Sequence, residues 1–207
     1  MTAKLLYFAD PMCSWCYGFA PQISQVESEH PDLDFQLVMG GLRPFGRETM
    51  AEIGYILKHH WEEVNARSGQ PFAHAILKNT AFVYDTEPPS RAVVAMRTLN
   101  PAGEFSFFKA VQEAFYRDNA DTNDPETYLE LSRAYDIGGQ DFLAAFDSEP
   151  VRNRTLEDFA YAKELGVSGF PTTILQLGER FFLLSHGYAE AGQLTEAMEK
   201  VFALESY

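Results

Sequence analysis

The sequence predicts a mixed α/β fold interrupted by an all-helical insertion, and three observations carry that expectation. A short apolar run, a helical stretch and an alternating run follow one another between Leu5 and Met39. From about Glu48 to Ala162 no alternation recurs, and helical patterns are separated by turn signals. Two strand patterns and an amphipathic helix then close the chain.

Leu5 to Ala9 is almost wholly apolar, as expected of a buried central strand, and Asp10-Pro11 ends it. Phe19, Ile23 and Val26 recur at helical spacing between about Trp15 and His30, with a kink or break expected at Pro21. Leu33, Phe35, Leu37 and Met39 alternate with Asp34, Gln36 and Val38 as in a strand, and Gly40-Gly41 closes it. Strand, helix and strand in this order form a βαβ unit, whose parallel pairing calls for a right-handed crossover.

The insertion reads as helices over about Glu48 to Asn65, Pro71 to Val83, Arg91 to Leu99 and Glu104 to Arg117. Asp124 is a good N-cap with Pro125 at the first helical position, Gly138-Gly139 ends that helix, and Phe142 to Phe146 is a further short one. Thr172 to Leu177 and Arg180 to Ser185 flank Gly178-Glu179, a two-residue hairpin connection. Gln193 to Leu204 places Leu194, Ala197, Met198, Val201 and Phe202 on one face of a closing helix. The expected division is a discontinuous α/β domain over 1–45 and 163–207, with 46–162 as the helical insertion.

Composition narrows the function. The 207 residues are 46% hydrophobic and 14% aromatic, enough for a packed core without disulfide staples. Sixteen basic against 30 acidic side chains give a net charge of −14. Such a field opposes nucleic acid and anionic membrane surfaces. The apolar run near the N-terminus is about five residues, shorter than the roughly 7–15 of a signal-peptide core. No segment reaches the ~18 apolar residues of a membrane span. A cytoplasmic location is therefore expected.

The two cysteines, Cys13 and Cys16, stand three positions apart, where a bridge closes almost no loop and adds little stability. Their setting between a strand and a helix points to chemistry. A helix N-terminus offers unpaired N–H groups and a positive dipole end, which favour a thiolate at Cys13. Cys16, one turn further in, is spaced to resolve a mixed disulfide, and Ser14 and Trp15 fill the intervening positions. Two cysteines also make half of a zinc site, but structural zinc takes four ligands. Among His30, His59, His60, His74 and His186, the adjacent His59-His60 would face about 100° apart on a helix. No metal is expected.

A second feature is Gly166-Val167-Ser168-Gly169-Phe170-Pro171-Thr172-Thr173, a proline at a strand start. Together with Phe8-Ala9-Asp10-Pro11-Met12-Cys13-Ser14-Trp15-Cys16-Tyr17-Gly18-Phe19, it resembles the DsbA-like family of thioredoxin-like fold. The match is nearest to that family's cytoplasmic branch of predicted protein-disulfide isomerases, similar to the FrnE-type proteins. The likeness extends over nearly the whole chain, since the insertion follows the family's layout.

The resemblance implies a thiol–disulfide oxidoreductase or protein-disulfide isomerase working on protein or small-molecule thiols and disulfides. Cys13 would attack and Cys16 resolve, Pro171 would be a cis-proline facing the dithiol, and Phe170 would shape substrate choice. Ser14, Trp15, Phe170 and Pro171 are thus the expected substrate-binding residues. No resident cofactor is implied beyond the redox pair, with glutathione a candidate co-substrate. The chain departs from the exported members in lacking a histidine between the cysteines, which bears on the oxidising direction. It also has Tyr7 where many thioredoxin-like proteins bury an acid, leaving Asp10 as the nearest carboxylate, either a helix cap (the expectation) or a proton relay.

Two other functions use the same residues. A kappa-class glutathione-dependent isomerase or transferase shares the architecture, with Ser90 or Arg91 after Pro88-Pro89 as a ligand contact. That class usually lacks the second cysteine. A non-catalytic peptide-binding or holdase module predicts that replacing Cys13 changes nothing.

Overall fold

A computed structural model describes residues 3–205, so Met1, Thr2, Ser206 and Tyr207, the ends of the expected α/β domain, lie outside it. The chain runs β1 (Ala3–Ala9), α1 (Ser14–Glu29), β2 (Asp34–Met39), α2 (Met50–Ser68), α3 (Glu87–Leu99), α4 (Glu104–Tyr116), α5 (Pro125–Ser132), α6 (Gly139–Asp147), α7 (Glu149–Glu164), β3 (Thr172–Leu177), β4 (Arg180–His186) and α8 (Ala191–Glu205). Short 3-10 turns occupy Ile76–Lys78, Pro101–Gly103 and Arg133–Tyr135.

The strands form one sheet in the order β2-β1-β3-β4. β1 pairs parallel with β2, setting Tyr7 opposite Leu37, and antiparallel with β3, setting Tyr7 opposite Thr173. The two-residue period of a strand divides the apolar side chains between the faces. Leu5, Tyr7, Ala9, Leu37, Met39, Leu175 and Leu177 point into the larger core, shared with α1, α3, α4 and α8. Leu6, Phe8, Val38 and Ile174 point the other way, onto Ala162 and Tyr161 of α7. Because both faces are covered, β1 reads as a continuous apolar run.

Four sequence expectations need correction. Pro21 does not break α1. The helix passes through it because the Tyr17 carbonyl, which loses its partner when Pro21 has no N–H, accepts the Gln70 side-chain amide at 3.1 Å. Pro71 to Val83 is not a helix. Its polar groups are satisfied across space instead: Ala73 N–H donates to the Tyr116 carbonyl, Ile76 N–H to Asn119, and Val83 bridges Thr49. Phe72 is drawn into an aromatic cluster with Tyr17, Trp61 and Tyr116. Gly138-Gly139 starts α6 rather than ending α5, which stops at Ser132.

The fourth correction is α7, a helix with no separate place in the sequence reading. Its composition is mostly polar, and only a narrow stripe including Val151, Thr155 and Ala162 is buried. The signal was its start, where the Ser148 hydroxyl accepts from Val151 N–H and Pro150 sits in the first turn. Asp158 of this helix also ties it to the sheet, accepting from Met39 N–H at 2.9 Å and from Arg97 of α3 at 2.8 Å.

Candidate active site

The β1–α1 junction places the dithiol. Asp10 leaves the strand, its carbonyl accepts from Cys13 N–H at 3.1 Å, and Cys13 becomes the N-cap residue of α1. The Cys13 carbonyl then accepts from Tyr17 N–H as the first helical bond. Cys13 is thus at the positive end of a 16-residue helix. It is 6% exposed against 0% for Cys16, and both are free thiols. Burial first, and the neighbouring Cys13 thiol next, push the Cys16 thiol well up from its ordinary ionisation range.

The Phe170–Pro171 loop faces this junction across the fold. The Phe170–Pro171 peptide bond is cis, and the Cys13 thiol donates to the Phe170 carbonyl at 3.4 Å. The Phe170 ring lies over Gly40, where a Cβ would stand only 2.0 Å from it. Gly40 therefore seats Phe170, a role the sequence reading missed by treating Gly40-Gly41 only as a strand terminator.

Asp10 is not the helix cap. Its carboxylate is fully buried, accepting from Met12 N–H at 2.9 Å and from Leu42 N–H at 2.7 Å. It thereby ties the motif loop to the chain after β2. Burial raises its pKa to about 6, against the opposing pull of the Leu42 and Met12 N–H bonds. The insertion grips the same loop from the other side: the Tyr84 hydroxyl donates to the Met12 carbonyl and Thr122 donates to the Met12 sulfur.

Two cavities of about 320 Å³ each flank Trp15 and Phe170, which line both. One opens beside Cys13 and Ser14 and is walled by Leu42 and by Ile53, Ile56 and Leu57 of α2, with Arg43 and His60 at hand. The other is bounded by Arg67, Gly187 and Tyr188, where the Arg67 guanidinium lies 4.9 Å from the Tyr188 ring centre. Cys13, Ser14, Trp15 and Phe170 therefore converge, with Pro171 next in the chain and Cys16 behind the first sulfur. Ser90 and Arg91 line neither cavity. Both are buried in α3, and Arg91 pairs with Glu87 at 2.8 Å and donates to the Phe146 carbonyl.

A sheet carrying a dithiol at a helix start, opposite a proline loop and under a helical insertion, defines a thioredoxin-fold oxidoreductase of the DsbA-like type. The family model described as DSBA-like thioredoxin domain matches residues 4–199, and the chain belongs to that family. It is 32% identical to a protein from Nitrosomonas europaea assigned as a protein disulfide isomerase, with 99% of each chain covered and a TM-score of 0.86. It is 27% identical to the cytosolic disulfide reductase DsbM from Pseudomonas aeruginosa, covering 97% of this chain and 99% of that one at a TM-score of 0.81. The structure of that reductase with glutathione matches at 26% identity over 99% and 100% of the two chains, with a TM-score of 0.74. No curated protein matches the sequence. No helix among the described residues is long and apolar enough to cross a membrane.

Proposed function

We propose that the chain is a cytoplasmic disulfide reductase or isomerase of the FrnE-type branch, acting through Cys13 and Cys16. The observation that carries this reading is the placement of Cys13: it caps α1, borders a cavity and faces the Phe170 carbonyl, with Cys16 buried behind it. In the reducing direction the Cys13 thiolate attacks a substrate disulfide, forming a Cys13–substrate disulfide and expelling one substrate thiolate. Cys16 then attacks the Cys13 sulfur. The intramolecular disulfide forms, the substrate's second sulfur leaves with the electron pair, and the substrate has gained two electrons.

Ser14, Trp15, Phe170 and Pro171 are proposed to hold the substrate backbone and flanking groups over Cys13. Glutathione is the proposed co-substrate that reduces the Cys13–Cys16 disulfide for the next cycle. Its support is the likeness to the disulfide reductase with glutathione. Retention of both cysteines favours this reading over a single-thiol glutathione isomerase or transferase.

The test is equilibration in glutathione buffers with counting of free thiols. A reversible two-electron titration with a midpoint nearer about −270 mV than −120 mV supports a reductant. A midpoint at the upper end makes the protein an oxidant, and no disulfide at any poise removes the dithiol mechanism. Cys16→Ser should accumulate a Cys13 mixed disulfide, whereas a holdase would be indifferent to Cys13→Ser.

A further inference from the structure

Tyr7 is a buried ionisable side chain that the two-cysteine mechanism leaves unused. β1 carries it into the main core, where its ring is packed by Phe19, Phe35, Phe105 and Phe108 at centroid distances from 5.8 to 6.3 Å. Four aromatic neighbours hold the ring in place. The hydroxyl is fully buried and makes no hydrogen bond, although buried phenols ordinarily find a partner. The neighbours to which that hydroxyl couples are Cys16 first and Cys13 next.

The groups whose charge bears on Cys16 come from three segments: Cys13 from the motif, Asp10 from the strand end and Tyr7 from β1. Tyr7 shares the main core with Cys16, and its ring meets Phe19, one turn along α1 from Cys16, at 5.8 Å. The Asp10 carboxylate and a Cys13 thiolate both oppose charge on Cys16. The Asp10 backbone favours it. Tyr7 is the side-chain hydroxyl in this set, and burial keeps that hydroxyl protonated well beyond its ordinary range.

We infer that Tyr7 is a positioning residue for the resolving step, its hydroxyl donating a hydrogen bond to the Cys16 sulfur as that sulfur becomes the attacking thiolate. The inference rests on the dithiol reading above. In that step Cys16 gives up its proton and its sulfur bonds to the Cys13 sulfur. The Cys13–substrate bond breaks, and the departing substrate sulfur takes the electron pair and ends as the protonated thiol. Tyr7 keeps its own proton throughout and serves as a fixed donor.

Tyr7→Phe removes the hydroxyl and leaves the ring. The test follows single turnover of a disulfide-bonded peptide by acid quench and mass spectrometry, separating formation of the Cys13 mixed disulfide from its decay. Formation should proceed at the wild-type rate. Decay should slow about tenfold to a hundredfold, the range for a hydrogen bond to a charged group. The pH profile of decay should move to higher pH. A variant that resolves at the wild-type rate with the wild-type profile overturns the inference, as does equal slowing of both steps, which marks a structural role.

If Tyr7→Phe does not fold, a ring-fluorinated tyrosine at position 7, a stronger donor of nearly the same shape, must speed the decay. An unchanged rate there overturns the inference too. Wild-type protein that forms no mixed disulfide at Cys13 removes the dithiol reading itself, a result distinct from a Tyr7 variant that behaves as wild type.

Discussion

Replacing Gly40 by alanine tests how the Phe170 loop is held against Cys13. The added Cβ would lie 2.0, 2.2 and 2.7 Å from three atoms of the Phe170 ring, where ordinary contact begins at 3.4 Å. The ring must therefore retreat by about 1.4 Å at its nearest atom, as the 2.0 and 3.4 Å distances require. It has little room, because it packs against the cores on both faces of the sheet. Gly40 has no positive φ, so alanine there would otherwise stabilise by about 0.4–1 kcal/mol through the unfolded chain. Overpacking costs about 1–3 kcal/mol, and each kcal/mol moves the melting temperature of a chain this size by about 2–4 °C. Set against that gain, the net cost is about 0–2.6 kcal/mol, so a fall of up to roughly 10 °C is expected. The Phe170 carbonyl moves with its ring, and misplacement by about 1 Å beside a reacting atom can cost about a hundredfold in rate. Thermal melting and the rate of Cys13 attack on a model disulfide read the two effects. In a Phe170→Leu background the cost of Gly40→Ala should largely vanish, since the colliding ring is gone. Unchanged melting and attack rate in the single variant, or the same cost in both backgrounds, would refute the seating of Phe170 on Gly40.

Asp10 predicts a pH dependence of stability. Its folded pKa of about 6 lies above the unfolded value near 3.9, so the native state binds more protons between them and stability falls as pH rises from about 4 to 6. Two units correspond to about 3 kcal/mol, and Asp10→Asn should flatten that slope in urea titrations across the window; a slope as steep as wild type removes the assignment. Arg97→Met should destabilise by about 3–5 kcal/mol, because it leaves the largely buried carboxylates of Glu104 and Asp158 without their cation. Denaturant melts check this, and a loss under 1 kcal/mol would show that solvent replaces the guanidinium. Tyr84→Phe strips the donor from the buried Met12 carbonyl and should cost about 1–3 kcal/mol while leaving the Cys13–Cys16 pair able to form its disulfide. Loss of the disulfide would instead show that the insertion sets the motif geometry.

The positions of the strands along the chain, and of two thiols at a helix start, were legible because each rests on local pattern. The apolar run Leu5 to Ala9, the alternation over Leu33 to Met39 and the hairpin at Gly178-Glu179 are read within a few residues, and the strands formed there. Cys13 at a helix start needs only the turn before it and the helix after it. The misreadings share the opposite cause. Pro21 stays helical because Gln70, far along the chain, supplies the missing donor, and Pro71 to Val83 stays irregular because Tyr116 and Asn119 satisfy its backbone. A polar helix such as α7 is recruited by one narrow face, and its Asp158 bonds to Arg97 and Met39 have no local signature. The same holds at the site. Sequence alone determined that two thiols sit at a strand–helix junction, because spacing and local pattern suffice for that. Tertiary structure decided that Gly40 seats Phe170, that Asp10 ties two loops rather than capping a helix, and that Tyr7 packs against Phe19 in the core shared with Cys16. Each of those contacts joins atoms brought together by the sheet, and burial, rather than residue type, gives them their energies.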